Sequence, residues 1–267
     1  MDSMQCISCH ASGSIIWQED TYRAVQCPTC GLIWTQGPAS IDLFDANYFI
    51  KNYLFQEEVR IQHFQTMLRT AAVTLQSPLL DVGAGVGFFL KALSPEVRSS
   101  AAAVEPASYA RERLRAEKLA GSIGASLDEL PSSAGPFATA TLWDVLAGVQ
   151  QPVALLATIH ENLTTRGMLV IKTPHHPPGL FKVARLLKPF QRGRSILHVP
   201  AQWFHFTPLS LEQLLTRNGF QVDKMQWTTE PPLVYPSRGR RAKEQVMKGF
   251  LRLGARHESI LCVARRV

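Results

Sequence analysis

The chain has no apolar run approaching the roughly 18 residues that a membrane-spanning helix requires, which excludes a helical transmembrane segment. Nor do Met1-Asp2-Ser3 open a secretory signal, so the expectation is a soluble, cytoplasmic protein. Cysteine is scarce, with 5 in 267 residues. In a reducing compartment such a chain is not expected to build a disulfide framework. Acid is scarce where base is abundant: from Leu180 to Val267 there are 16 Lys/Arg against 5 Asp/Glu, whereas residues 1–179 carry 12 against 16. The net charge of +7 therefore belongs to the last third of the chain. Such an excess points to an anionic substrate or surface, or is a solvated face that aids solubility. The length exceeds one typical domain but suits a single α/β core with a small appendage, and 46% hydrophobic residues can fill it.

Four of the five cysteines are paired, as Cys6-x-x-Cys9 and Cys27-x-x-Cys30, with 17 residues between the pairs. That spacing fits a four-cysteine zinc site, each turn supplying two thiolates to a tetrahedron. Pro28 stiffens the second turn, and Gly31 suits a knuckle whose amides point back at sulfur. Two disulfides or a redox pair are the alternatives; the missing secretion signal opposes the first, and a thioredoxin-type pair would open a helix in another context. Ile15-Ile16-Trp17 and Tyr22-Arg23-Ala24-Val25 read as two short strands, too little apolar material to fold without metal. Four thiolates leave no open position, so the zinc is expected to be structural. Residues 1–37 form this module, 36–42 a linker, and Cys262 a core position.

In Leu79-Leu80-Asp81-Val82-Gly83-Ala84-Gly85-Val86-Gly87-Phe88, a short apolar run ends in an acid and a glycine-spaced turn leads into a second apolar segment. That pattern is a buried parallel strand, a tight loop and a helix start, where backbone can approach a ligand closely. A second short strand, Ala101-Ala102-Ala103-Val104, ends in Glu105, a carboxylate suited to a ribose diol. The dinucleotide fingerprint G-x-G-x-x-G is not met, because Phe88 stands where its third glycine would be. Asp81 would repel a pyrophosphate but could pair with the ammonium of an amino-acid moiety.

Asp81, Gly83-x-Gly85-x-Gly87 and Glu105 together resemble the S-adenosylmethionine site of class I methyltransferases. The resemblance continues through Phe137–Leu146 (fourth strand), Leu163–Pro174 (fifth), Phe204–Leu211 with Asn218-Gly219-Phe220 (closing helix and turn) and Ser259–Ala264 (seventh). It covers residues 43–267 and implies a Rossmann-like seven-stranded α/β sheet with helices on both faces, plus the small zinc-ribbon-like module. It implies a cofactor site of Asp81, Val82, Gly83, Ala84, Gly85, Gly87, Phe88, Glu105 and Pro106, with Ser126 and Leu127 near the adenine and Trp143 and Asp144 after the fourth strand. Tyr48, Phe49 and Tyr53 would fold over the cofactor as a lid, or simply pack. Phe64, Met67, Leu68 and Ala71 form a helical core stripe, and His160 is structural.

The methyl acceptor is expected beyond the strand ends, against Trp143, Asp144, Val145, Pro174, His175, His176 and a cap insertion over 175–206. Within it, Leu180, Val183, Ala184 and Leu187 make one apolar stripe beside Lys182, Arg185 and Lys188, and Arg192 and Arg194 follow in a basic loop. The stripe would pack on the domain, a greasy carrier or a membrane surface (179–194) while the basic residues face an anionic head group. The layout resembles methyltransferases with an N-terminal four-cysteine module, related to those of the ubiquinone pathway and of sugars and polysaccharides. Their "W-D-V-L-E-H" appears here as Trp143-Asp144-Val145-Leu146-Ala147-Gly148, and "P-x-E-H" as Pro200-Ala201-Gln202-Trp203. Both departures remove acid and imidazole from the acceptor side. Methyl transfer is dominated by alignment, with a base needed only for a poor nucleophile; Asp144, His175, His198 and His205 are the candidates. The expected function is methylation of a small or carrier-linked anionic metabolite. RNA methylation, or a non-catalytic scaffold that keeps the cofactor fold, are the alternatives.

Overall fold

The computed structural model describes residues 4–38, 44–175, 181, 197–229 and 258–267; the expected amphipathic helix, the basic loop and His176 lie outside the described residues. The cysteine segment folds into the hairpin β1 (Ser14–Glu19) and β2 (Tyr22–Gln26), followed by β3 (Ile33–Gln36). Ala24, Val25, Ile33 and Trp34 are buried. Helix α1 (Ala46–Asn52) begins where Asp45 Oδ1 accepts the Tyr48 amide at 2.7 Å, satisfying one of the free N–H groups of the first turn. Helix α2 (Glu57–Thr70) carries the expected stripe: Met67 and Ala71 pack with Met168, Val170 and Leu261, and Phe64 and Leu68 bridge to the cluster around Phe89.

The rest of the chain alternates strand and helix. In order come β4 (Leu79–Val82), α3 (Phe88–Lys91), α4 (Pro95–Ser99), β5 (Ala102–Val104), α5 (Ser108–Ala116) and β6 (Ser122–Gly124). Then follow β7 (Phe137–Trp143), α6 (Pro152–Asn162), β8 (Leu163–Pro174), β9 (Phe204–His205), α7 (Pro208–Arg217), β10 (Phe220–Thr229) and β11 (Glu258–Arg266). Seven strands form one sheet in the order β6-β5-β4-β7-β8-β11-β10, parallel except for β11, which runs antiparallel to both neighbours. Alternation along β4 divides the core: Leu80 and Val82 face a cluster with Ala140, Leu142 and Cys262, while Leu79 faces one with Phe89 and Leu114. Cys262 is fully buried as expected, and burial pushes its thiol up to about 12. Thr207 caps α7 with a reciprocal bond to Ser210, and Gly219 at φ 80 turns the chain into β10 over the His160 ring.

The chain leaves β4 toward β5 and β6, then returns across it to β7. A crevice consequently opens beyond the carboxyl ends of β4, β5 and β7. The small sheet has the order β1-β2-β3-β9, so its last strand comes from the far end of the chain rather than from residues 1–37.

Candidate active site and metal centre

The loop after β4 is held by two amides, Gly83 N and Ala84 N, both donating to Val104 O, at 2.7 and 3.1 Å. Its glycines serve different ends. A Cβ on Gly83, at φ 71, would stand 2.3 Å from the Val145 side chain, so that residue permits close packing of the β7 end. A Cβ on Gly85 would meet only Phe49, at 3.9 Å, so the missing side chain there leaves the loop open to the crevice.

Glu105, at the end of β5, is 7% exposed and reaches back to this loop. Its Oε2 accepts Gly85 N at 2.7 Å and its Oε1 accepts Ala107 N at 2.8 Å. Burial raises its carboxyl above the usual range, and those two amides work against that shift. Each oxygen keeps lone pairs for a further donor. Asp81, within β4, is fully buried; its Oδ1 accepts the Thr141 hydroxyl at 2.7 Å, a contact set by the direct β4–β7 register of the two residues.

The crevice is a cleft of about 720 Å³. Gly83, Ala84, Gly85, Phe88, Glu105 and Pro106 form one side, and Tyr48, Phe49 and Tyr53 of the N-terminal helices form another. Trp143, Asp144, Val145, Gly148, Val149 and Ala201 supply the side beyond β7. The aromatic residues are tied together: the Tyr48 and Tyr53 hydroxyls are 3.4 Å apart, and Phe49 stacks on Tyr109 with ring centroids 6.1 Å apart. Burial, and then Tyr53, push the Tyr48 phenol above its ordinary value.

Several expected cofactor residues do not line the cleft. Asp81 and Val82 lie beneath the loop, and Gly87 is turned toward Leu114 and Leu119, where a Cβ would come within 2.4 Å of Leu119. Ser126 and Leu127 lie outside the lining as well; Leu127 packs on the main core, and Pro106, Ala107 and Ser108 stand in the wall after β5. The expected bases divide in the same way. Asp144 enters the cleft, at φ 61, with both carboxylate oxygens accepting from Lys172 Nζ at 2.9 and 2.8 Å. His175, His198 and His205 do not line it. His175 Nδ1 lies 3.0 Å from Phe206 O with its ring against Trp227, and His198 is exposed. His205 is sealed against Phe181, and burial, followed by His198 and His175, holds it down to about 3. His205 is thus held neutral within the core and away from the residues that line the cleft.

Residues that the sequence reading did not single out for the cleft also face it, Arg60 above all. Its guanidinium lies 4.5 Å over the Tyr53 ring, and its buried Nε has no hydrogen-bond partner among the described residues. The signal was present: Arg60 is four residues before Phe64, so the stripe continued one turn back reaches it.

Asp81 gives the pH behaviour of the site. Burial is the main cause of a carboxyl raised to about 8, with the Thr141 bond opposing it and the Glu105 charge adding to it. An unfolded aspartate titrates near ~3.9. Between those values the native state holds a proton that the unfolded chain has released, so stability falls as pH rises from about 4 to about 8. Asp81→Asn, which cannot ionise, should show a flatter melting temperature across that window. Parallel curves for variant and wild type would assign the slope to other groups.

The four cysteine Sγ atoms lie within 4.8 Å of one another, with Cys6–Cys30 at 3.5 Å and Cys9–Cys27 at 3.3 Å. These are far longer than a disulfide bond of about 2.05 Å. A tetrahedron of ~2.3 Å Zn–S bonds spaces its sulfurs by about 3.8 Å, so the donors fit a zinc ion. The amides of Ser8 and Cys9 bond Cys6, and those of Thr29 and Cys30 bond Cys27. Against the effect of its burial, those donors and Cys9 bring the Cys27 thiol down to about 7.

The sequence model of a family described as a methyltransferase domain matches residues 55–225. No curated protein matches the sequence. Among solved structures, the chain is similar to the putative methyltransferase in complex with the Haloferax volcanii Trm112 methyltransferase activator, with 14% identity and a TM-score of 0.57 over 85% of this chain and 99% of that one. It is also similar to the Burkholderia thailandensis 1,6-didemethyltoxoflavin N1-methyltransferase bound to S-adenosylhomocysteine (16%, TM-score 0.54, 95% and 99%). A third is the possible histamine N-methyltransferase of Thermotoga maritima (14%, TM-score 0.55, 82% and 97%). At these identities the structural likeness establishes the fold, and the family match over most of the chain, joined to the loop after β4 and the carboxylate after β5, establishes the rest: this protein belongs to the S-adenosylmethionine-dependent methyltransferase family.

Proposed function

We propose that this enzyme methylates a small or carrier-linked anionic metabolite, using the cleft beyond β4, β5 and β7 and a structural zinc ion held by Cys6, Cys9, Cys27 and Cys30. The observation that carries the reading is that Glu105 and Arg60 both line the cleft. Glu105 is a carboxylate free to accept from a ribose diol, and Arg60 is a cation whose Nε lacks a partner among the described residues. Trp143 Nε1 and Asp81 Oδ2 are two further buried polar atoms without partners among the described residues. S-adenosylmethionine carries a carboxylate for Arg60 and a ribose diol for Glu105, both of which line the cleft, so the groups present fit it. When bound it supplies a methyl group activated by a sulfonium.

The chain's own residues then orient and exclude water. Phe49, Tyr48 and Tyr53 close one side with aromatic surface, and Lys172 holds the Asp144 carboxylate facing the cleft. An anionic acceptor is supported by the 16 Lys/Arg among the last 88 residues, and a small-molecule acceptor is compatible with a cleft of about 720 Å³ among the described residues. The test is incubation with cofactor bearing an isotopically labelled methyl group, in a low-mass cell extract and separately with total RNA. Label should enter anionic low-mass compounds; label entering RNA, or cationic compounds alone, would overturn the assignment.

A further inference from the structure

We infer that the four-cysteine site governs the cleft wall beyond β7, so that an occupied metal site is needed to hold Gly148, Val149 and Ala201 in place. This rests on the cleft and metal readings above. A zinc module of this size invites treatment as an appendage whose loss would leave the rest untouched. The hydrogen bonding argues otherwise.

One route joins the metal site to the wall, and a second ties a ligand to the helix that follows β9. The first is a ladder of main chain. Ile33 and Trp34 of β3 pair with His205 and Phe204 of β9, and Thr35 N donates to Trp203 O at 2.8 Å. On the other side of the same segment, Trp203 N and Phe204 N both donate to Ala147 O, at 2.7 and 3.0 Å. Ala147 adjoins Gly148, whose Cβ, if present, would lie 3.2 Å from Ala201 O. Trp203 and Phe204 are therefore a middle layer, bonded to the module on one side and to the segment after β7 on the other. The second route starts at a ligand itself: Cys30 O accepts the Thr207 hydroxyl at 2.7 Å, and Thr207 is the cap of α7.

Packing follows the same lines. Cys6, Cys27, Cys30 and Trp34 belong to one continuous buried cluster with Phe204, Leu146 and Leu142. Without metal, four thiols replace the bonds that a module with little core depends on, and β3 loses the order needed to pair. The middle layer would then have its backbone groups bonded on one side only. By contrast, Gly83, Ala84 and Glu105 are held by β4 and β5, and no hydrogen bond described for them runs to the module.

The test is hydrogen exchange on the full reduced chain, zinc-loaded and after chelation, with metal content measured and S-adenosylhomocysteine binding followed by calorimetry. Exchange in 145–149 and 201–207 should rise at least tenfold together with that in 4–36, while 79–87 and 102–105 keep their protection and the ligand still binds. If 201–207 stay protected while 4–36 exchange freely, the coupling is refuted and the metal reading stands. Absence of bound zinc in protein prepared without chelators would remove both. Loss of protection throughout, with loss of ligand binding, would show a global dependence and overturn the local one.

Discussion

Replacing Glu105 by alanine is expected to weaken S-adenosylhomocysteine binding about 100-fold, with the fold retained. The side chain does two things at once. It accepts Gly85 N and Ala107 N, which sets the loop's shape before ligand arrives, and it keeps lone pairs for a ribose. A hydrogen bond to a charged group contributes about 1.5–3 kcal/mol, and each 1.4 kcal/mol is a factor of ten in affinity. Glu105→Gln separates the two roles, because the amide oxygen can still accept one backbone bond while the charge and the second acceptor are lost. It should fall between wild type and Glu105→Ala. Arg60→Ala removes one proposed contact to the ligand's carboxylate and should cost about tenfold. Calorimetry on the three variants measures the series, and an alanine variant at position 105 with wild-type affinity would exclude the ribose assignment.

The parts of this site that were legible in the sequence are those in which local chemistry and position coincide. A glycine turn after a buried strand, an acid at the next strand's end, and two C-x-x-C knuckles each impose their geometry within a few residues. The Phe64 stripe was legible for the same reason, since helical period alone decides which side chains share a face. What was not legible depends on contacts between distant segments. β9 is only two residues long, and its partner β3 lies at the other end of the chain. No pattern within Phe204-His205 announces that pairing, so the four-cysteine segment read as a separate module.

The histidines illustrate a related limit. His205 and His175 were read as candidate bases because imidazole near an acceptor site can be one. Their roles turned on burial against Phe181 and on a carbonyl at Phe206, which residue type does not encode. Asp144 was legible as an acid after the fourth strand. Its partner was not, because Lys172 sits at an inward position of β8 where apolar residues are the rule, 3% exposed and directly beside Trp143 in register.

That pair gives the second large effect, and its asymmetry is the informative part. Asp144→Ala should destabilise the protein by about 2–3 kcal/mol, because it withdraws the carboxylate from an ammonium sealed in the sheet. A wholly buried pair broken in this way loses about 3–5 kcal/mol; the figure here is smaller because the Asp144 side chain is 43% exposed and partly hydrated already. Lys172→Met should cost less, since the carboxylate left behind faces the cleft and can recruit water, while a methionine of similar length fills the space of the lysine stem. The double variant should recover much of the loss of Asp144→Ala. Denaturant unfolding of the two single variants and the double variant closes the cycle. A double variant no more stable than Asp144→Ala would mean that the lost contact to the Lys172 ammonium is not the source of the penalty, and that the cost is instead that of placing alanine in the left-handed backbone at φ 61.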